Sequence, residues 1–83
     1  MSLNVVFRET ALRTLARIRR ENRDFFSRTQ RAIASLPDDP RPDDAVPWGT
    51  TGIYRLHADK IRILYEIDED AAAIYIINIG LLA

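Results

Sequence analysis

Between Gly52 and Ile79 apolar and polar residues alternate with only two short polar breaks, a pattern that no helix can bury on one side. Residues 53–58, 61–68 and 72–79 read as three consecutive strands, separated by Asp59-Lys60 and by Glu69-Asp70-Ala71. A two-residue turn at Asp59-Lys60 sets the first register, with Ala58 facing Ile61 and His57 facing Arg62. One side of this hairpin then carries Tyr54, Leu56, Ala58, Ile61, Ile63, Tyr65 and Ile67. The other carries Arg55, His57, Arg62, Leu64, Glu66 and Asp68. The third strand is apolar on both sides and belongs in the middle of a sheet. If the turn before it has three residues, Asn78 lies opposite Arg62.

The apolar side of the hairpin needs a cover, and the first half of the chain supplies it. Leu3, Val5 and Phe7 alternate as a short opening strand, which pairs beyond the last strand. From Ala11 the period changes to that of a helix. Ala11, Leu12, Leu15, Ala16 and Ile18 form one face, Arg13, Arg17 and Arg20 the opposite one, with Thr10 as the expected N-cap. The polar stretch 19–24 forces a turn capped by Asn22 or Asp24. A second helix then runs to Leu36 on the stripe Phe25, Phe26, Thr29, Ala32, Ile33 and Leu36. All four prolines lie between Pro37 and Pro47, which predicts an irregular exposed loop. The expected fold is α+β, in the order β-α-α-β-β-β, with a helical hairpin on one face of a four-stranded, mainly antiparallel sheet. Its core includes Leu12, Leu15, Phe25, Ile33, Leu56, Ile63 and Tyr65. With 83 residues there is room for one domain, 1–83.

Composition narrows the chemistry. There is no cysteine and a single histidine, so neither a disulfide, a thiolate metal site nor a histidine-based metal centre is expected. No apolar run approaches the ~18 residues of a membrane span, and no signal-peptide pattern opens the chain, which points to the cytoplasm. Nucleotide-binding loops and Ser-His-Asp sets are missing, and no cofactor is implied. The formal net charge is zero but unevenly spread. Residues 1–36 carry eight arginines against Glu9, Glu21 and Asp24, whereas the acids outnumber the bases in the rest of the chain. That asymmetry reads either as a solvated helical surface or as a polyanion-binding face.

Arg55, His57 and Arg62 converge on the polar side of the hairpin, two as i, i+2 neighbours and two as a cross-strand pair. Like charges this close favour an anion, and arginine matches phosphate bidentately. His57 adds a group able to exchange a proton near neutral pH. Two arginines and a histidine around a phosphodiester can support its cleavage by a neighbouring 2′-OH without a metal. The alternative is that Glu66 and Asp68 neutralise these bases as exposed cross-strand pairs. Trp48, between Pro47 and Gly49, is expected as a plug over the open end of the core, the other reading being a base-stacking residue.

The order strand, helix, helix, long loop and three-stranded meander, with Gly52-Ile53-Tyr54-Arg55-Leu56-His57, Lys60-Ile61-Arg62-Ile63-Leu64-Tyr65-Glu66-Ile67-Asp68 and Ile77-Asn78-Ile79-Gly80, resembles the RelE/ParE superfamily of toxins from bacterial type II toxin–antitoxin systems. The resemblance covers essentially the whole chain. It implies a cognate antitoxin partner, with a homodimer or a toxin–antitoxin heterotetramer as possible assemblies. Members of the RelE branch cut mRNA in the ribosomal A site and inhibit translation, and members of the ParE branch poison DNA gyrase. By resemblance, Arg55 and His57 fall where ribosome-dependent members place basic catalytic residues, His57 standing in for a more usual Lys or Arg. Arg62 falls on the arginine that steadies the scissile phosphate. RNA contacts are expected from Arg13, Arg17, Arg20 and Asn78. Relatives continue past the glycine matching Gly80 with a basic residue and an aromatic or histidine. The sequence here reads Gly80-Leu81-Leu82-Ala83, which implies an attenuated ribonuclease, a gyrase inhibitor, or a member that only binds an antitoxin.

Overall fold

The structure, a computed structural model, describes residues 3–82; Ala83, the last residue of the apolar terminus, lies outside them. Its elements are β1 (Asn4–Phe7), α1 (Glu9–Glu21), α2 (Arg23–Ser35), β2 (Ala45–Pro47), β3 (Ile53–Ala58), β4 (Ile61–Asp68) and β5 (Ala73–Leu81). The strands form one sheet in the order β1-β5-β4-β3-β2, parallel between β1 and β5 and antiparallel elsewhere. The class is the expected one, a helical hairpin on one face of a mainly antiparallel sheet, but the sheet has five strands rather than four. The added strand comes from the end of the proline-rich segment. There Ala45–Pro47 pairs along β3, and Pro47 is tolerated because the strand lies at the sheet edge.

One apolar cluster fills the space between the layers. Ala11, Leu15 and Ile18 of α1, and Ile33 and Leu36 at the end of α2, meet Leu56, Ile61, Ile63, Tyr65, Ile67, Ile74, Ile76 and Ile79 of the sheet. Burying side chains of this size contributes roughly 1.5–3 kcal/mol apiece. Thr29 is also fully buried, and its hydroxyl donates to Phe25 O at 2.7 Å, so the polar atom is satisfied within the helix. Leu12, expected in the core, is instead 54% exposed. The stripe Ala11, Leu15, Ile18 fixes the inward direction of α1, and Leu12 lies about 100° of helix rotation away from Ala11. Phe25, also expected there, is only partly buried against the cluster.

The capping expectation divides in the same way. Asn22 alone separates the two helices. Its backbone N–H closes α1 on Ile18 O at 2.8 Å, while its side chain accepts from Phe25 N at 3.1 Å and opens α2. Thr10 lies inside α1, whose N-cap is Arg8 and makes no side-chain cap. Replacing Asn22 by Ala is therefore expected to cost ~1 kcal/mol, about 4–8 °C in thermal midpoint for a domain this small. Thr10→Ala should stay within about 0.5 kcal/mol. Thermal unfolding followed by circular dichroism checks both, and a larger loss from Thr10→Ala would contradict the assignment.

The β3–β4 register is the expected one, with Ala58 opposite Ile61 and His57 opposite Arg62. Asp59 takes the positive φ of 59° that a tight two-residue hairpin places at its first turn position. Arg28 of α2 holds the turn, reaching Asp59 at 2.7 Å and Asp24 at 2.9 Å. The β4–β5 register differs from expectation. Asn78 faces Leu64, and Gly80 takes the position opposite Arg62. Two shifts add to produce this. The connection runs over 69–72, with Ala72 at φ 52°, and β5 carries one extra residue where the pairing jumps from Tyr65↔Ile76 to Leu64↔Asn78. Without that bulge Asn78 would point into the core and Ile79 out of it; the extra residue at Ile77 reverses both.

Candidate functional site

The sheet face turned away from the helices is built from two rows that cross several strands. Val46 of β2, Arg55 of β3, Leu64 of β4 and Asn78 of β5 are successive partners in one row; His57, Arg62 and Gly80 form the next. The backbone N–H of His57 donates outward to Asp44 O at 3.1 Å, towards β2. His57 and Arg62 are therefore a non-hydrogen-bonded pair, the kind whose side chains come closest. Gly80 is in ordinary extended backbone, and a Cβ added there would have nothing within 4 Å. No side chain from β5 shields Arg62 on that flank.

Arg62 is partly tied down. Its Nη1 donates to Asp59 O at 2.8 Å and to Ile61 O at 3.0 Å, which folds the guanidinium back along the hairpin. Arg55 lies over the Trp48 ring, 4.5 Å from its centroid. Among the described residues Arg55, His57 and Arg62 make no ion pair, and Glu66 and Asp68 do not neutralise them. Glu66 lies further along the sheet, between Ile53 and Tyr75, so distance along the strand keeps it from the bases. Partial desolvation and then the positive charges of Arg62 and Arg55 pull the His57 pKa below its ordinary 6.5, against the opposing pull of Asp44. At neutral pH the imidazole is uncharged and able to accept a proton.

A groove of about 290 Å³ runs over this face, lined by Trp48, Arg55, Arg62, Leu64, Asn78 and Gly80 together with Leu81 and Leu82. Trp48 is 47% exposed and belongs to this groove. The expectation that it plugs the core is incorrect. With Pro47 on the edge strand and Gly49 at φ 75°, the chain turns so that the indole covers Arg55 instead of the helices. Asn78 joins the groove, though not beside Arg62. The α1 arginines do not, because α1 packs on the other face of the sheet. Arg13 pairs with Glu9, Arg17 approaches Glu21 at 3.8 Å, and Arg20 is exposed without an ion pair among the described residues. Gly80 is the site residue that the sequence reading missed, and Trp48 is one it gave only as the alternative to a core plug. Gly80 was hidden by the bulge, and for Trp48 the available signal was its place before Gly49, since a turn there can lift an indole clear of the core.

At the other end of the sheet, Arg41 donates to Tyr54 Oη at 3.0 Å and pairs with Glu69 at 2.7 Å, while Tyr65 donates to Pro40 O at 2.6 Å. These contacts fasten the proline-rich segment. No group of His, Asp or Glu side chains that could hold a metal occurs among the described residues, and none of their helices is long and apolar enough to cross a membrane.

Comparison with known families matches residues 5–81 to the ParE toxin of type II toxin–antitoxin systems. This chain belongs to that family. It is thus a toxin of the RelE/ParE superfamily, as the meander motifs imply. No curated protein matches the sequence. Solved structures share the fold at low identity. The isolated RelE toxin of E. coli superposes with a TM-score of 0.82 at 15% identity, covering 99% of this chain and 86% of that one. A chain of the archaeal RelE–RelB complex from Pyrococcus horikoshii gives 0.82 at 18%, covering 98% and 96%. A chain of the YoeB–YefM complex from Staphylococcus aureus gives 0.76 at 16%, covering 100% of both.

Proposed function

We propose that this toxin is a RelE-like, ribosome-dependent mRNA endonuclease that inhibits translation in the cytoplasm and is held inactive by a cognate antitoxin. The observation that carries the reading is the set Arg55, His57 and Arg62, gathered on one open face with no ion pair among the described residues and open space beside Arg62. In this mechanism neutral His57 takes the proton of a ribose 2′-OH. That oxygen bonds to the adjacent phosphorus, and the bond from phosphorus to the leaving 5′-oxygen breaks. Arg62 and Arg55 stabilise the pentacoordinate dianion between the two events. The leaving oxygen takes its proton from water, which gives a cyclic phosphate on one fragment and a 5′-OH on the other. The α1 arginines, on the opposite surface, provide long-range attraction to ribosomal RNA. An antitoxin partner is supported by the family itself and by relatives solved as RelE–RelB and YoeB–YefM complexes.

The description of the matching family favours a second reading, a ParE-like inhibitor of DNA gyrase with no catalytic residues of its own. Expression without antitoxin separates the two. Under the cleavage mechanism the parent arrests growth, whereas Arg62→Ala and His57→Gln do not, and both variants still co-purify with the antitoxin. If both remain as toxic as the parent, cleavage on this face is wrong and gyrase poisoning takes its place.

A further inference from the structure

We infer that Trp48, braced from one side by Arg55, is a stacking platform for one base of a single-stranded RNA whose phosphate lies at Arg62. The inference deepens the endonuclease reading and rests on it for the identity of the ligand. The Trp48 ring is 47% exposed, yet it is not loose. Its backbone N–H donates to Ile53 O at 2.9 Å at the base of the β2–β3 loop, and the guanidinium of Arg55 lies 4.5 Å from the ring centroid. The cation lies over the ring and braces it, and with 47% of the residue exposed the indole keeps surface for a planar guest. The platform and Arg62 line the same groove of about 290 Å³, the scale of a single nucleotide.

The groove also offers a polar contact for a base edge. The side-chain oxygen of Asn78 already accepts from Ile79 N at 3.0 Å, which leaves the amide NH₂ as a donor. Leu64 supplies an apolar floor between Arg55 and Asn78. An aromatic ring, a cation and a neighbouring donor are the combination by which proteins hold unpaired bases with little sequence preference.

Trp48 is the only tryptophan of the chain, so its fluorescence reports on this site alone. The test titrates the full-length toxin with a 2′-O-methyl tetra-adenylate, which cannot be cleaved, and separately with inorganic phosphate. The oligonucleotide should quench the emission saturably, and phosphate should not. By anisotropy with a labelled oligonucleotide, Trp48→Leu should weaken binding about 5- to 150-fold, the equivalent of ~1–3 kcal/mol for one stacked base, and Trp48→Phe should recover part of the loss. The thermal midpoints of both variants should match the parent, which separates lost stacking from lost fold. Quenching that persists in a protein shown not to cut mRNA supports the platform while removing the endonuclease reading. Cleavage that proceeds with unquenched Trp48, and with equal affinity in Trp48→Leu, overturns the platform and leaves the endonuclease standing.

Discussion

Arg62→Ala is expected to lower the rate of mRNA cleavage by ~10²–10³-fold with little change in stability, because one positively charged donor facing a developing oxyanion typically contributes that much. The geometry explains why Arg62 should exceed Arg55 in importance. Arg62 is held by two carbonyls, Asp59 O and Ile61 O, and has Gly80 rather than a side chain as its neighbour on β5. Arg55 is engaged by the indole. Arg62→Lys should restore little, since an ammonium can replace the charge but not the planar fork that divides itself between the hairpin carbonyls and a phosphate. The pH dependence has a defined sign. Neutral His57 is the active form and its pKa is lowered, so the acid limb of the activity profile is centred below the ordinary imidazole value of 6.5. His57→Gln should remove that acid limb along with most of the rate. A limb centred above 6.5 would contradict the assignment of His57 as the base.

Tyr65→Ala should be the most damaging single change to the fold, at ~3–5 kcal/mol and at least ~12 °C in thermal midpoint. Total stability for 83 residues is expected at only ~4–12 kcal/mol, so this one change removes a large share of it. Tyr65 is fully buried at the centre of the core, stacks on its cross-strand partner Tyr54 with centroids 5.9 Å apart, and holds the proline-rich segment through Pro40 O. Tyr65→Phe removes only that hydrogen bond and should cost ~1 kcal/mol. The phenol also predicts an alkaline signature. Burial first, then the neighbouring Tyr54, raises its pKa from 10.0 to about 12. A raised folded-state value means that the contribution is intact below 10 and is lost as pH rises through about 12. Denaturant unfolding across that range should show the loss in the parent and its absence in Tyr65→Phe. Equal pH profiles for the two would show that the Tyr65 phenol does not govern the loss.

What could be read from the sequence follows from which forces are local. The β3–β4 hairpin was legible because a two-residue turn and strict alternation permit only one register that keeps charge out of the core. The turn between the helices was legible for a similar reason, since 19–24 carries no apolar residue between two periodic segments, but that stretch offered both Asn22 and Asp24 as the cap and the structure selects Asn22. The position of Asn78 was not, because Ile76, Ile77 and Ile79 are all apolar and alternation cannot locate a bulge in such a run. The edge strand β2 was hidden by prolines, whose exclusion from strands holds for central strands and not for an edge. Trp48 misled because an indole is usually a core residue, and only the positive φ at Gly49 and the cation at Arg55 turn it outward. The three bases were read on one face from alternation alone; their lack of ion pairs needed the spacing of Glu66 and Asp68 along the sheet.

The most direct test of the account is to add the purified toxin to ribosomes stalled on a defined message and to map the RNA by toeprinting. The account predicts discrete breaks within the A-site codon that require the ribosome and vanish with Arg62→Ala. An intact message, together with gyrase–DNA complexes trapped by the same protein, would contradict it.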